Sequence, residues 1–505
     1  MIPYSAPLDD ILASLRAAGA ESVPGWDGDL MRQIGEAFAA YAENEVAPYA
    51  AEWDAEGAVL EGGKVLMPAS FITAYRAFVE QGWPDLSAPE SAGGQGMGVI
   101  ATAIVAEMLA GADISFQMVI GLVPGAIRVL THFGTPEQQA AWIPELASGQ
   151  RIGTMALTEP GAGSDLSRIR TRAEETPEGW RISGEKIFIS GGNQNATDGI
   201  FHLVLARTGS PESGVKGLSL FACLSEEVEG RLSVTRIEEK MGLKVSPTCQ
   251  LAFDAAPAHL IGTVGGGLNG MFAMMNHARI DVAMQGIATS ARATAIAKAY
   301  AAERVQGRKA DGSAAVLADH PDVARMLDEM EARTHLCRAL SHVALVALER
   351  NEADPLVDAL TPVQKYAATE SGSRVADLGI QVLGGYGYLK EYGLEKLARD
   401  VRITRIYEGA SGIHALTLAG RGASGAQGAA LAAFLSAEAP EVAVLWEEGR
   451  AALANPAAQA QDFMALTEWA MFQALAPRLV DRPAVARFLA REKPMGAVHL
   501  ARLKG

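Results

Sequence analysis

At 505 residues the chain has room for roughly two to four domains with a substantial core. Charged residues make up 20% of it and apolar residues 49%, the balance of an ordinary globular protein. The net charge of −16 argues against a nucleic-acid backbone or an anionic membrane as the main partner, though a few local arginines could still hold a phosphorylated ligand. Cys223, Cys249 and Cys337 stand too far apart for CxxC pairing, which fits a reducing compartment and offers no zinc framework. The opening MIPYSAPLDD lacks the basic and apolar regions of a secretory signal, and no uninterrupted apolar run of membrane-spanning length follows. The expectation is a soluble cytoplasmic protein.

In chain order, residues 1–150 carry a helical pattern. LMRQIGEAFAAYAENEVAPYAAEW has an apolar stripe at helical spacing, and GVIATAIVAEMLAGADISFQMVIGLVPGAIRVLTHFG predicts one or two buried helices. GTPEQQAAWIPELASG predicts a capped helix entered at Thr135 and left at a glycine. The character changes at residue 151: GWRISGEKIFISGG, IFHLVLART, GLSLFACL and CQLAFDAA are short β-branched or aromatic runs, so 151–264 is expected to be a small β domain. From 265 the helical period returns, with a long helix over ARIDVAMQGIATSARATAIAKAYAAERV. Val323, Met326, Leu327 and Met330 mark the buried face of the next, and two more helices are expected near 362–384 and 394–406. Four long helices predict a bundle over 265–420, and 421–505 is an additional helical segment with a basic end. The fold class is therefore α+β: helices, a central small β domain, then a four-helix bundle with an extra C-terminal helical segment. It lacks the βαβ alternation of a dinucleotide-binding fold.

Several motifs carry nothing. GGGLNG (265–270) matches G-x-G-x-x-G, but the preceding AHLIGTV reads as a poor strand, and a flexible linker is the better expectation. EGASG falls short of a nucleophile elbow, and the nine histidines show no metal-ligand spacing, so no metal is expected. MALTEPGAGSD (155–165) is more informative: a strand-like start runs into a turn that exposes backbone N–H groups and hydroxyls without bulk, suited to a flat polar ring or a phosphate. In ITRIYEGASGIHAL a lone carboxylate, Glu408, sits in apolar surroundings, where its burial would be costly unless it were paired, neutral or needed.

MALTEPGAGSD is followed by KIFISGG (186–192), ERVQG (303–307), QVLGGYGY (381–388) and IYEGASGI (406–413). In this order, on a helix–β–helix layout, the chain resembles the acyl-CoA dehydrogenase family of flavoproteins over about residues 30–420. YSAPLDDILASL and GWPDLSAPESAGGQGM look most like the branch that includes 3-(methylthio)propanoyl-CoA dehydrogenases, of whose typical members this chain looks a shorter version at its C-terminal end.

The resemblance implies that the central small β domain is a β-barrel, with FAD as cofactor and an acyl-CoA thioester as substrate. It also implies an electron-transfer flavoprotein as acceptor and a homodimer or homotetramer. Thr158 and Ser164 match flavin contacts, Ser164 also reaching the thioester. Phe188 and Ser190 replace the usual Trp and Thr beside the ring. Arg304 matches an arginine on the FAD pyrophosphate, with Gln306 near the place of the family's missing Phe, and Gln381 and Gly385 match residues reaching the FAD of a neighbouring subunit. Glu408 matches the base that removes the α-proton, with the N–H of the Glu408–Gly409 turn and Arg279 near the thioester. Ala278 fills the slot where some members carry the base instead, and Ala410 replaces a threonine. Phe116, Gln117 and Met118 are candidates for the acyl pocket or plain core. Two alternatives stand beside this reading: an acyl-CoA oxidase using oxygen, and a DNA-associated flavoprotein of the alkylation response. The second is favoured only by seven Lys/Arg against two acids over 478–504.

Overall fold

The computed structural model describes residues 2–505. They group into two compact units. The first comprises the N-terminal 43 residues, Val99–Ala112 and Arg279–Gly505; the second comprises Asn44–Gly98 and Asp113–Ala278.

In the second unit the hairpin β1 (Val59–Glu61) and β2 (Lys64–Leu66) precedes a run of helices. The apolar stretch predicted as one or two helices forms three: Val99–Ala112, which belongs to the first unit, then Ile114–Ile120 and Val123–Phe133. Asp113 supplies the break, its side chain capping the Phe116 N–H at 2.8 Å. The stretch Ile114–Phe133 is apolar and long enough to cross a membrane by composition, but it is mostly buried within the protein. The predicted helix after Gly134 spans Pro136–Ala147 with a capping box between Thr135 and Gln138.

The β domain follows as β3 (Arg151–Ala156), β4 (Arg172–Thr176), β5 (Gly179–Ser190), β6 (Gly199–Arg207), β7 (Leu218–Leu224), β8 (Leu232–Ile237) and β9 (Thr248–Ile261). Pairing runs β6–β4–β5–β9–β7 and returns to β6, so five strands close on themselves as a barrel; β3 adds in parallel to β6 and β8 antiparallel to β9. β6 and β7, apolar but for His202, Arg207 and Ser219, are buried along their whole length on both faces. The reading of AHLIGTV as a poor strand is corrected: it continues β9 as far as Ile261. The glycine run behind it is not a flexible linker. The Gly265 N–H donates to Ser219 Oγ at 2.8 Å, and a Cβ on Gly267 would lie 2.4 Å from the Ser219 backbone, so the chain packs too closely there for any side chain.

In the first unit the long helices Gly267–Glu303 (from Arg279 onward), Pro321–Arg350 and Pro355–Leu383 share a core of Ala293, Ile296, Ala297, Met330, Val375 and Leu378 with Leu394 of the short helix Leu394–Val401. The third helix begins at Pro355, not 362. Asp354 caps it, and Pro362 is carried inside because Ala359, Leu360 and Val363 around it are fully buried. The predicted helix at 394–406 stops at Val401 and tightens into a 3₁₀ turn, Arg402–Arg405. Five further helices lie between Gly425 and Lys504. Their basic end is largely paired within the same unit: Arg478 with Glu438, Arg482 with Asp10, Arg487 and Arg491 with Asp328, and Lys504 with Glu448. The charge that favoured a DNA-binding reading is therefore mostly compensated.

Candidate functional site

The segment around Glu408 is built by a tight local turn. After the 3₁₀ turn the Ile406 and Tyr407 N–H groups both donate to the Ile403 carbonyl, and the helix Ser411–Thr417 begins only after Ala410. Between these, Glu408 and Gly409 both adopt left-handed backbone, with φ of 53° and 95°. Such a conformation is uncommon for a residue with a Cβ and is held only where its surroundings over-determine it. Here three anchors hold it. The Tyr407 hydroxyl bonds Gln285 Oε1, His414 Nε2 sits 3.2 Å from the Glu408 carbonyl, and Lys365 Nζ donates to the Gly409 carbonyl at 2.8 Å. Glu370 braces both flanks, bonding Ser411 Oγ and Arg405, each at 2.6 Å.

Glu408 as a whole is half-buried, yet its Oε2 is shielded from solvent and has no hydrogen-bond partner. Desolvation lifts the carboxyl from 4.5 to about 7, against the opposing pull of Arg279 and Lys365. Asp281, two residues beyond Arg279, is lifted to about 8 by desolvation and by Glu408 itself. Burial lowers Arg279, with Glu408 opposing. The site thus holds two carboxyls that resist ionising together, beside two cations.

Gly409→Ala is expected to cost about 1–3 kcal/mol of stability, since a Cβ there would lie 2.9 Å from His414 Nε2 on a left-handed backbone. Thermal unfolding of the variant checks this, and its activity falls further than its stability because the distortion falls next to Glu408.

In the same unit Arg304 lies over the Tyr386 ring at 5.6 Å, which brings ERVQG to the segment bearing Gly385. The Gln306 carbonyl contacts His320 Nε2 at 2.8 Å. Arg304, Gln306, Gln381 and Gly385 are all exposed, whereas the Glu408 turn is half-buried.

In the other unit the TEPGAGSD turn is closed by two hydrogen bonds between Glu159 and Ala162. The Thr158 carbonyl accepts from the Ile187 N–H at 2.8 Å, which ties the turn to β5. Beneath it Lys186, fully buried, donates to the Leu157 carbonyl and to Glu159 Oε1, both at 2.9 Å, and Glu159 also takes the Arg170 and Thr171 N–H groups. Phe188 follows on a bulge of β5 with a φ of 60° that turns its ring out to 60% exposure. Ser164 is exposed, Thr158 and Ser190 are half-buried, and a Cβ on Gly161 or Gly163 would meet open space. A strained backbone that exposes a large aromatic beside an uncluttered polar turn fits a flat aromatic ligand such as a flavin ring. Phe116 is fully buried between Trp53 and Phe71, a core position, and Gln117 and Met118 are buried with it. Ala278 is buried.

Sequence reasoning did not single out Lys365, Asp281, Gln285 or His414. The available signal was a lysine inside VQKYAA and an aspartate inside RIDVAMQG, charges on otherwise apolar helix faces.

Three domain families match the chain in succession: the acyl-CoA dehydrogenase N-terminal domain over residues 29–150, the middle domain over 154–256 and the C-terminal domain over 265–423. The chain belongs to the acyl-CoA dehydrogenase family. The 3-methylmercaptopropionyl-CoA dehydrogenase of Ruegeria pomeroyi is 39% identical over 446 residues, covering 83% of this chain and 76% of that one. Among solved structures, the butyryl-CoA dehydrogenase of Megasphaera elsdenii is 25% identical with a TM-score of 0.68, covering 78% of this chain and 97% of its own. A structure described as the apo form of Bd2924 covers 93% of this chain and 96% of its own with a TM-score of 0.80; at 22% identity it shows the fold alone. The family's members are oxidoreductases acting on CH–CH bonds, so this chain is an enzyme that dehydrogenates acyl-CoA, and its helical, β and helical architecture is the family fold.

Proposed function

We propose that the chain is an FAD-dependent acyl-CoA dehydrogenase that converts an acyl-CoA thioester to a 2-enoyl-CoA, with Glu408 as the base. The observation that carries the reading is the shielded, partnerless Glu408 Oε2 on a strained backbone, with its carboxyl raised to about 7. A base must be strong enough to take a weakly acidic α-proton yet ionised at working pH, and a desolvated carboxylate near neutrality satisfies both.

Thr158, Ser164, Phe188 and Ser190 are proposed to hold the flavin ring, by hydroxyls and an aromatic face. Arg304, Gln306, Gln381 and Gly385 are proposed to hold the phosphate and adenosine side of a cofactor shared with a second copy of the chain, as a homodimer or homotetramer. Bound FAD supplies the hydride acceptor at N5. Glu408 takes the proton from the α-carbon, and its own N–H, presented by the left-handed turn into Gly409, faces charge developing on the thioester oxygen. Arg279 steadies the ionised carboxylate, and Ser164 meets the thioester.

An acyl-CoA of short to medium length is the proposed substrate class, 3-(methylthio)propanoyl-CoA among them, with an electron-transfer flavoprotein as acceptor. The domain plan 1–150, 151–264, 265–420 and 421–505 is proposed with it. Three buried, unpaired cysteines suit a reducing compartment such as the cytoplasm.

The test is the visible spectrum of the purified holoenzyme under anaerobic conditions, before and after a panel of saturated acyl-CoAs, with Glu408→Gln beside it. Bleaching by one thioester in the unaltered enzyme alone is the expected result. A yellow protein that no acyl-CoA bleaches overturns the dehydrogenase reading. Rapid re-oxidation by air after bleaching assigns oxygen, not a flavoprotein, as the acceptor.

A further inference from the structure

One buried cation near the turn has no part in the chemistry just described. Lys365 stands inside the helix Pro355–Leu383 with 0% of its surface exposed. Helix packing alone would place an apolar residue there, because a buried ammonium is costly unless something compensates it. The structure shows what it does. Its Nζ donates at 2.8 Å to the carbonyl of Gly409, the residue that follows Glu408 and shares its left-handed backbone. The Glu408 carbonyl is met by His414 Nε2 at 3.2 Å. Two successive carbonyls of the strained turn are thus held by side chains from two helices, Pro355–Leu383 and Ser411–Thr417. The carboxyl Oε2 of the same Glu408 is left without a hydrogen-bond partner.

We propose that Lys365 is the positioning residue for Glu408: its ammonium clamps the Gly409 carbonyl, fixes the strained peptide after the base, and provides the positive field in which the carboxylate ionises. The proposal rests on Glu408 being the base. The charges around the pair agree with it. Lys365 and Arg279 are the two groups that pull the Glu408 carboxyl down against its desolvation. Lys365 is itself lowered by burial to about 8, with Glu408 and Glu370 opposing and Arg279 adding to the fall. Asp281 and the Tyr407 hydroxyl also feel Glu408, and both are raised chiefly by burial. His414 is kept neutral by burial and by Lys365 and Arg279, so it does not compete for the proton near neutral pH. Removing the Lys365 charge therefore leaves Arg279 alone against the desolvation of Glu408.

A lysine that served only packing would act through stability; a positioning lysine also acts through acid strength and order in the turn. Lys365→Met removes charge and donor at similar volume, Lys365→Arg keeps both, and Lys365→Gln serves as the uncharged variant if the methionine form does not fold. Three readouts are taken on holoenzyme with flavin content matched: the pH profile of acyl-CoA bleaching, kcat against KM, and hydrogen–deuterium exchange of the segment 403–416. In Lys365→Met the acid limb moves up by about one pH unit, as expected on losing a nearby opposite charge. In the same variant kcat falls about tenfold at neutral pH, equivalent to losing one well-placed interaction in the transition state, while KM holds, and exchange over the turn accelerates. Lys365→Arg restores the limb and the exchange. An unmoved limb in the uncharged variant, or the same shift in Lys365→Arg, overturns the field. Unchanged exchange overturns the clamp. If Glu408→Gln keeps full activity, the base assignment fails instead, and the exchange data still decide the clamp independently.

Discussion

Replacing Glu408 by glutamine is expected to slow acyl-CoA bleaching by about 10³-fold, the loss typical of removing a positioned general base. Flavin content should stay normal, because none of the groups proposed to hold the cofactor is Glu408. In the unaltered enzyme the rate rises with pH through about 7, since the base must be ionised and its carboxyl is raised from 4.5 to that value. The variant keeps no limb there. Stopped-flow bleaching from pH 5.5 to 8.5 checks both the size and the limb, and a variant that keeps a limb near 7 would assign the base elsewhere, to Asp281 first.

The same substitution is expected to stabilise the protein, and the sign follows from linkage. Below about pH 4.5 Glu408 is protonated folded and unfolded, so it contributes nothing. Between 4.5 and 7 the folded state binds the proton that the unfolded state has released, so stability falls as pH rises. Above 7 the ionised carboxylate sits in its desolvated place at full cost. Asp281, raised from 3.8 to about 8, extends the same slope. Glutamine removes the Glu408 part, so its melting temperature exceeds that of the unaltered enzyme at pH 8, and the gap narrows towards pH 5. A base that costs stability is the mark of a residue kept for chemistry.

Much of the fold is legible in the sequence alone. The change from helical to β period at 151 and back after 264 follows from alternation and turn residues, and the ordered set TEPGAGSD, KIFISGG, ERVQG, QVLGGYGY and IYEGASGI carries the family resemblance from which the site residues follow. What stayed hidden is long-range. Lys365 and Gly409 meet although 44 positions separate them, and the apolar setting of VQKYAA hints at a buried lysine without naming its partner. The left-handed backbone of Phe188 and Glu408 was equally invisible, because neither residue favours it; the strain is imposed by a bulge in one case and by anchored carbonyls in the other. The start of the third helix at Pro355 is hidden for the opposite reason: Pro362, a local breaker, is overridden by burial of its neighbours.

The largest stability effect is expected at another buried charge pair of the first unit. Glu107, on the helix Val99–Ala112, and Arg338, on Pro321–Arg350, each expose 1% of their side chains and meet through Arg338 Nη2 to Glu107 Oε1 at 2.6 Å and through Nε, shared between Oε1 at 3.0 Å and Oε2 at 3.3 Å. The pair is bidentate at one carboxylate, a geometry that offsets part of the desolvation of both groups. Around it Asp10 also pulls on Arg338, Tyr4 is raised chiefly by burial and next by Glu107, and His335 and His342 are held neutral chiefly by burial, with Arg338 lowering both. Neither histidine therefore takes over the role of the arginine near neutral pH. Arg338→Met leaves Glu107 as a buried carboxylate without its cation, and the expected cost is about 3–5 kcal/mol, read as a shift in the urea midpoint of the first unfolding transition. Glu107→Leu alone strands the guanidinium and costs a similar amount. The double variant Glu107→Leu/Arg338→Met removes both charges and should recover most of the loss, because the price of the singles is an uncompensated charge, not a missing contact. A double variant no better than the singles would mean that the pair is needed for the fit of the two helices, and that its electrostatics are secondary.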